Sequence, residues 1–89
     1  MIKIVHCDKE EYDVYIGRGS IWGNKFEIGK DGTRKEVIDK YRTYVLNNKE
    51  LMNLLPFLKD KVLGCWCKPK ACHGDVLKEI VENKMILTI

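Results

Sequence analysis

KVLGCWCKPKACHGDVLKEIVEN, residues 61–83, holds a strand, a loop and a helix in immediate succession. Residues 61–66, KVLGCW, are an almost unbroken apolar run of strand length, the pattern of a buried central strand. After a loop at Lys68–Ala71, DVLKEIVEN reads as a helix. Val76, Leu77, Ile80 and Val81 form its buried face, and Asn83 is its stop. A buried strand that feeds an amphipathic helix belongs to a mixed α/β fold with a sheet that is parallel at least in part.

The rest of the chain agrees. Residues 2–6, IKIVH, are short and β-branched. Residues 12–16, YDVYI, alternate, with Tyr12, Val14 and Ile16 on one face. Five glycines then punctuate residues 17–32, and Asp31-Gly32 signals a turn. Thr33 followed by Glu36 is a capping box, so a helix should run from Arg34 to Leu46 with Val37, Ile38, Tyr41, Tyr44 and Val45 as its apolar stripe. Asn47-Asn48 ends it. A shorter helix spans residues 49–55, and Pro56 breaks it. The apolar segment MILTI, residues 85–89, reads as a last strand. The expected architecture is one α/β domain over residues 1–89. It is a two- or three-layer Rossmann-like unit with a three- or four-stranded, mostly parallel sheet and about three helices.

The totals narrow the class. At 89 residues, about 60–65% of the unfolded chain's surface can be buried, so a metal, a disulfide or a partner subunit would help such a core. With 45% hydrophobic and 33% charged residues the chain is globular rather than disordered. No apolar run approaches the roughly 20 residues that span a bilayer. MIKIVHCDKEEYD at the start has no secretory pattern. The expectation is a cytoplasmic protein with no membrane partner, in which four cysteines are not two structural disulfides. A net charge of +3 suits an anionic small ligand, RNA or plain solubility equally. An apolar terminal strand at a sheet edge would make a homodimer attractive.

In open α/β sheets ligands bind beyond the carboxyl ends of the strands. Two strands here end in unusual chemistry. YDVYI ends in GRGS, residues 17–20. Gly17 and Gly19 allow backbone N–H groups to curl around an anion, Arg18 adds a planar bidentate donor, and Ser20 adds a hydroxyl. The plainer reading is an ordinary turn with an exposed arginine. Farther along the loop, Asn24 and Lys25 offer polar contacts. Trp22 can either stack on a base or pin the loop to the core.

KVLGCW ends in CKPKACHGD, which reads three ways. Cys65, Cys67, Cys72 and His73 are a donor set that zinc accepts, although the spacing lacks the usual CxxC pairs and adjacent residues seldom share one metal. No metal or cofactor is therefore favoured, with zinc as the alternative. Cys72 and His73 lie at the start of a helix, where a cysteine's pKa falls and an anion can be held. His73 can act as acid or base, and Asp75 can orient the imidazole or simply cap the helix. Third, Cys65 and Cys67 can be small buried hydrophobes of a central strand. His6 and Cys7, ending the first strand, are within reach of the same edge.

With both motifs in place, YIGRGS, WGN-x-F, IGKDGTRKEVIDKYRTYV and LGCWCKPKACHGDVLKEIV together resemble the domain of unknown function 4326 family, found in phages, bacteria and some large viruses. The resemblance runs from about Tyr15 to Val81. The family pattern reads GNPF where this chain has Lys25 in place of the proline. The resemblance implies a shared site at Gly17, Arg18, Gly19, Ser20, Asn24, Cys65, Cys67, Cys72, His73 and Asp75, and it implies no particular chemistry.

The functional expectation is a crevice between GRGS and CWC-x4-CHGD that binds a nucleotide or nucleotide-derived ligand, either to hydrolyse or transfer it or only to sequester it as a signal; the residues do not decide between an enzyme and a binding protein. Arg18 and the loop amides take the phosphate, and Lys25 is a further phosphate contact. Trp22 or Trp66 takes the base, and Asn24 orients the ligand. His73, Asp75 and Cys72 are the candidates for chemistry. The alternative is a small zinc-binding module that recognises nucleic acid or protein. A polynucleotide partner is the less favoured of these.

Overall fold

The computed structural model describes the backbone of residues 1–87 and the side chains of residues 1–83. In chain order it contains β1 (Lys3–His6), β2 (Val14–Tyr15), α1 (Arg34–Leu46), α2 (Lys49–Leu54), a 3-10 turn (Leu55–Leu58), β3 (Val62–Cys65) and α3 (His73–Leu87). The three strands form an open sheet in the order β1-β3-β2, and both pairings are parallel. The fold is thus the small α/β domain the periodicities predict.

The central place of β3 follows from its apolar run. Leu63 and Cys65 are fully buried and join the core cluster with Tyr41, Val45 and Leu77. Gly64 lies on the opposite side of the pleat. There the connection between β1 and β2 crosses the sheet. A Cβ at Gly64 would meet the Tyr12 ring at 2.7 Å and the Cys7 Cβ at 3.1 Å, so this crossing requires glycine. β2 is short, and a side chain helps to start it. The Asp13 carboxylate accepts from the Val62 N–H at 2.8 Å while the Asp13 N–H donates to the Val62 carbonyl at 2.7 Å.

α1 occupies the span its caps predict. Thr33 accepts from the Glu36 N–H at 3.3 Å, and the Glu36 carboxylate accepts from the Thr33 N–H at 3.0 Å. Val37, Tyr41 and Val45 are its buried residues. Pro56 sits in the first turn of the 3-10 segment, where its missing N–H costs nothing. The expected strand over 85–89 is not formed at residues 85–87, which continue α3; residues 88–89 lie outside the described residues. Extending an existing helix needs no new nucleus. The apolar edge strand on which a homodimer was expected is therefore not present at 85–87. Among the described residues no helix is long and apolar enough to cross a membrane.

Candidate functional site

Tyr15 on β2 pairs with Gly64 on β3, so the two strands end side by side. The segments that follow them leave the same edge of the sheet, where α3 also begins. Between these segments and α1 lies a cavity of about 400 Å³. Arg18 and His73 both line it, together with Gly17, Asn24, Trp66 and Cys72. Two motifs distant in sequence open onto one hollow because parallel neighbours end at the same edge.

Arg18 reaches back across its own loop. Nη1 donates to the Asn24 carbonyl at 2.9 Å and Nη2 to the Phe26 carbonyl at 3.3 Å. A guanidinium has five N–H donors, so the others remain for a ligand. Asn24 spends its side chain on the loop. Nδ2 donates to the Val37 carbonyl at 3.2 Å and Oδ1 accepts from the Phe26 N–H at 2.9 Å. Gly19, at φ +94°, supplies the left-handed step of the turn. The Ser20 hydroxyl closes that turn on the Gly17 carbonyl at 2.7 Å, and neither Gly19 nor Ser20 lines the cavity.

The two tryptophans part company. Trp22 is only 5% exposed and belongs to the core cluster, and its carbonyl accepts from the Tyr41 hydroxyl at 2.6 Å. Burial removes it as a stacking platform for a ligand. Trp66 is 59% exposed and lines the cavity. Its indole N–H donates to the Tyr15 hydroxyl at 3.0 Å, which in turn donates to the Arg18 carbonyl at 3.2 Å. The His6 ring meets it edge-on at 5.6 Å, and the His6 Nδ1 accepts from the Asp8 N–H at 3.1 Å. Lys25 is elsewhere. Its ammonium lies 4.2 Å from the centre of the Tyr44 ring, off the cavity wall.

His73 is 7% exposed and packs edge-on to Tyr41 at 5.0 Å. Its Nε2 lies 2.6 Å from the Ile16 carbonyl oxygen. A carbonyl only accepts, so Nε2 carries the hydrogen and Nδ1 is the basic nitrogen of the neutral ring. Burial, with help from the Arg18 charge, pushes the His73 pKa down, outweighing the Ile16 bond and Asp75. Asp75 does not orient the imidazole. Oδ2 accepts from the Cys72 N–H at 3.1 Å and Oδ1 from the Lys68 ammonium at 2.8 Å, which is the helix-capping role. Partial burial raises its carboxyl pKa, but Lys68 and the Cys72 amide hold it below the ordinary value.

Cys65 and Cys72 are buried with their sulfurs 3.2 Å apart, while Cys67 is half-buried on the cavity wall. The Cys72 thiol as hydrogen-bond partner pushes Cys65 down to about 6, opposed by burial and assisted by neighbouring amides and Lys68. The hydrogen bond to Cys65 and burial push Cys72 up. The pair thus favours one shared proton. The four zinc-capable residues of the sequence, Cys65, Cys67, Cys72 and His73, are not gathered into one cluster in this arrangement. Among the described residues no three metal-capable side chains converge.

Arg34 is a cavity residue that the motifs did not single out. It is the first residue of α1, lines the hollow, and donates from Nη1 to the Ala71 carbonyl at 2.9 Å. Its signal was its place directly after the Thr33 cap. That position puts a helix start, and hence Arg34, at the ligand edge of a parallel sheet.

A parallel α/β domain with an arginine-rimmed hollow at the carboxyl ends of its strands is the class defined by this geometry. The chain belongs to the domain of unknown function 4326 family, whose model matches residues 3–83. It is 36% identical over 88 residues to an uncharacterized 12.4 kDa protein of Enterobacteria phage T4 from the nrdA-td intergenic region, covering 93% of this chain and 80% of that protein. It is 35% identical over 88 residues to an uncharacterized protein of Acanthamoeba polyphaga mimivirus, covering 79% of this chain and 67% of that one. No solved structure matches.

Proposed function

We propose that the cavity binds a nucleotide or nucleotide-derived anion. The observation that carries this reading is the composition of one wall. Arg18, Arg34 and the exposed indole of Trp66 surround a single hollow, and the described residues that line it include no carboxylate. Guanidinium forks suit phosphate, and an indole face suits any base. A volume of about 400 Å³ falls at the small end of ligand pockets, which favours a mononucleotide over a polynucleotide. Val37 and Ile38 of α1 supply an apolar flank. For hydrolysis or group transfer at a phosphate or glycosidic bond, the proton acceptor of this site is the His73 Nδ1.

Isothermal titration against a panel of mono-, di- and cyclic nucleotides tests the reading. Saturable binding of at least one member is expected, weakened about tenfold or more in Trp66→Ala, since a stacked base contributes about 1–3 kcal/mol. Parent protein that binds no member of the panel overturns it. Where turnover of a bound nucleotide is observed, His73→Gln should keep binding and lose turnover.

A further inference from the structure

We propose that Cys65 and Cys72 are a reversible dithiol–disulfide couple, oxidised by hydrogen peroxide that reaches them through the cavity. Their sulfurs are 3.2 Å apart and both thiols are free. Each is anchored on a packed element. Cys65 ends β3, and Cys72 immediately precedes α3. Cys65 is 0% and Cys72 2% exposed, but Cys72 forms part of the cavity wall and Cys65 does not, so the approach for a small oxidant is from the Cys72 side. The Lys68 ammonium, held by Asp75, adds positive charge beside the pair, and such charge favours thiolate over thiol. Neither other cysteine matches this arrangement. Cys67 lines the cavity and makes no sulfur–sulfur hydrogen bond among the described residues, and the Cys7 Cβ packs near Gly64.

The chemistry balances with peroxide as the sole oxidant. In the resting pair the proton sits on Cys72; for the reaction it crosses the 3.2 Å contact to Cys65 and leaves the thiolate on Cys72, the residue on the cavity side. That sulfur attacks one peroxide oxygen, the O–O bond breaks, and the departing hydroxide takes a proton from solvent, replacing the one the pair had released, to leave as water. Cys72 is then a sulfenic acid. The Cys65 sulfur attacks it, the S–S bond forms, and the sulfenic hydroxyl leaves with the Cys65 proton as a second water. Two thiols lose two electrons, and one peroxide becomes two waters. The sulfurs need to close from 3.2 Å to about 2.05 Å. The new bond would staple β3 to the start of α3 and close a ring around the loop that carries Trp66 and Cys67. A low-molecular-weight dithiol reverses it by exchange.

The inference rests on the sulfur pair and its access, and it stands whatever ligand the cavity takes. The test uses the full chain with Cys7 and Cys67 both replaced by serine, which leaves the buried pair intact. Exposure to a stoichiometric amount of hydrogen peroxide at neutral pH should remove two hydrogen atoms by intact mass. Peptide mapping should place the link between Cys65 and Cys72, and dithiothreitol should restore the starting mass. The parent protein should give the same link. Overturning results are a parent link through Cys7 or Cys67 in its place, or a folded double variant whose pair stays reduced or gains oxygen atoms without linking. Should the double variant fail to fold, the map of the parent protein decides alone.

Discussion

The His73 Nε2 donates to the Ile16 carbonyl across 2.6 Å, fastening the first residue of α3 to the residue that follows β2. This one bond holds the two motif-bearing segments together at the sheet edge. It also couples the site to pH. Burial holds the His73 pKa below its ordinary value, so the folded protein resists a proton that the unfolded chain accepts near pH 6.5. The associated stability is present above about pH 6.5 and is lost as pH falls through the lower folded value. Thermal melts taken downward from neutral pH should show the melting temperature falling before the carboxylate range near pH 4 is reached. In His73→Gln, which keeps an N–H for Ile16 but does not titrate, this early fall should be absent. Parallel curves for the two proteins would contradict the assignment.

The Tyr41 hydroxyl should be worth more than its ring packing suggests. It donates to the Trp22 carbonyl at 2.6 Å in the buried interior. Tyr41→Phe keeps the ring and leaves a buried carbonyl without its partner, so urea unfolding should show a loss of about 1–3 kcal/mol. A change within experimental scatter would mean that water reaches that carbonyl.

Gly64→Ala should destabilise the sheet by about 1–3 kcal/mol through overpacking. The added methyl would meet the Tyr12 ring at 2.7 Å, close to the ring's root rather than its mobile tip. Gly64→Ala combined with Tyr12→Ala should recover part of the loss, because the second change removes the ring. Equal stability of the single and double variants in chemical denaturation would place the connection elsewhere.

The tryptophans should separate stability from binding. Trp22→Ala empties a core position and should cost about 3–5 kcal/mol. Trp66→Ala removes an exposed ring and should change stability by only about 0.5 kcal/mol. Circular dichroism melts of the two variants beside the parent provide the comparison. A large loss from Trp66→Ala would assign that ring to the fold rather than to a ligand.

How much of this was legible in residue order varies by element. α1 was readable to its ends, because the Thr33–Glu36 box and the Val37–Tyr41–Val45 stripe are local signals that the helix itself realises. The parallel sheet was readable as a class from the apolar run at 61–66. The stretch 85–89 misled, since β-branched and apolar residues suit a strand or a helix extension, and the preceding helix carries residues 85–87. In the loops no period exists. Nothing local distinguishes Trp22, tucked against Tyr41, from Trp66, exposed beside Tyr15.

Residue order alone determined the elements up to the middle of α3, the parallel class of the sheet and the edge at which chemistry should gather, because capping and periodicity act within a few residues. The three-dimensional packing decided the partners. It brought Arg34 to the cavity that Arg18 lines, turned Asp75 from His73 toward Lys68 and Cys72, and brought two sulfurs together. Those relations depend on how strand ends and helix starts meet across the sheet edge, a distance that no spacing along the chain encodes.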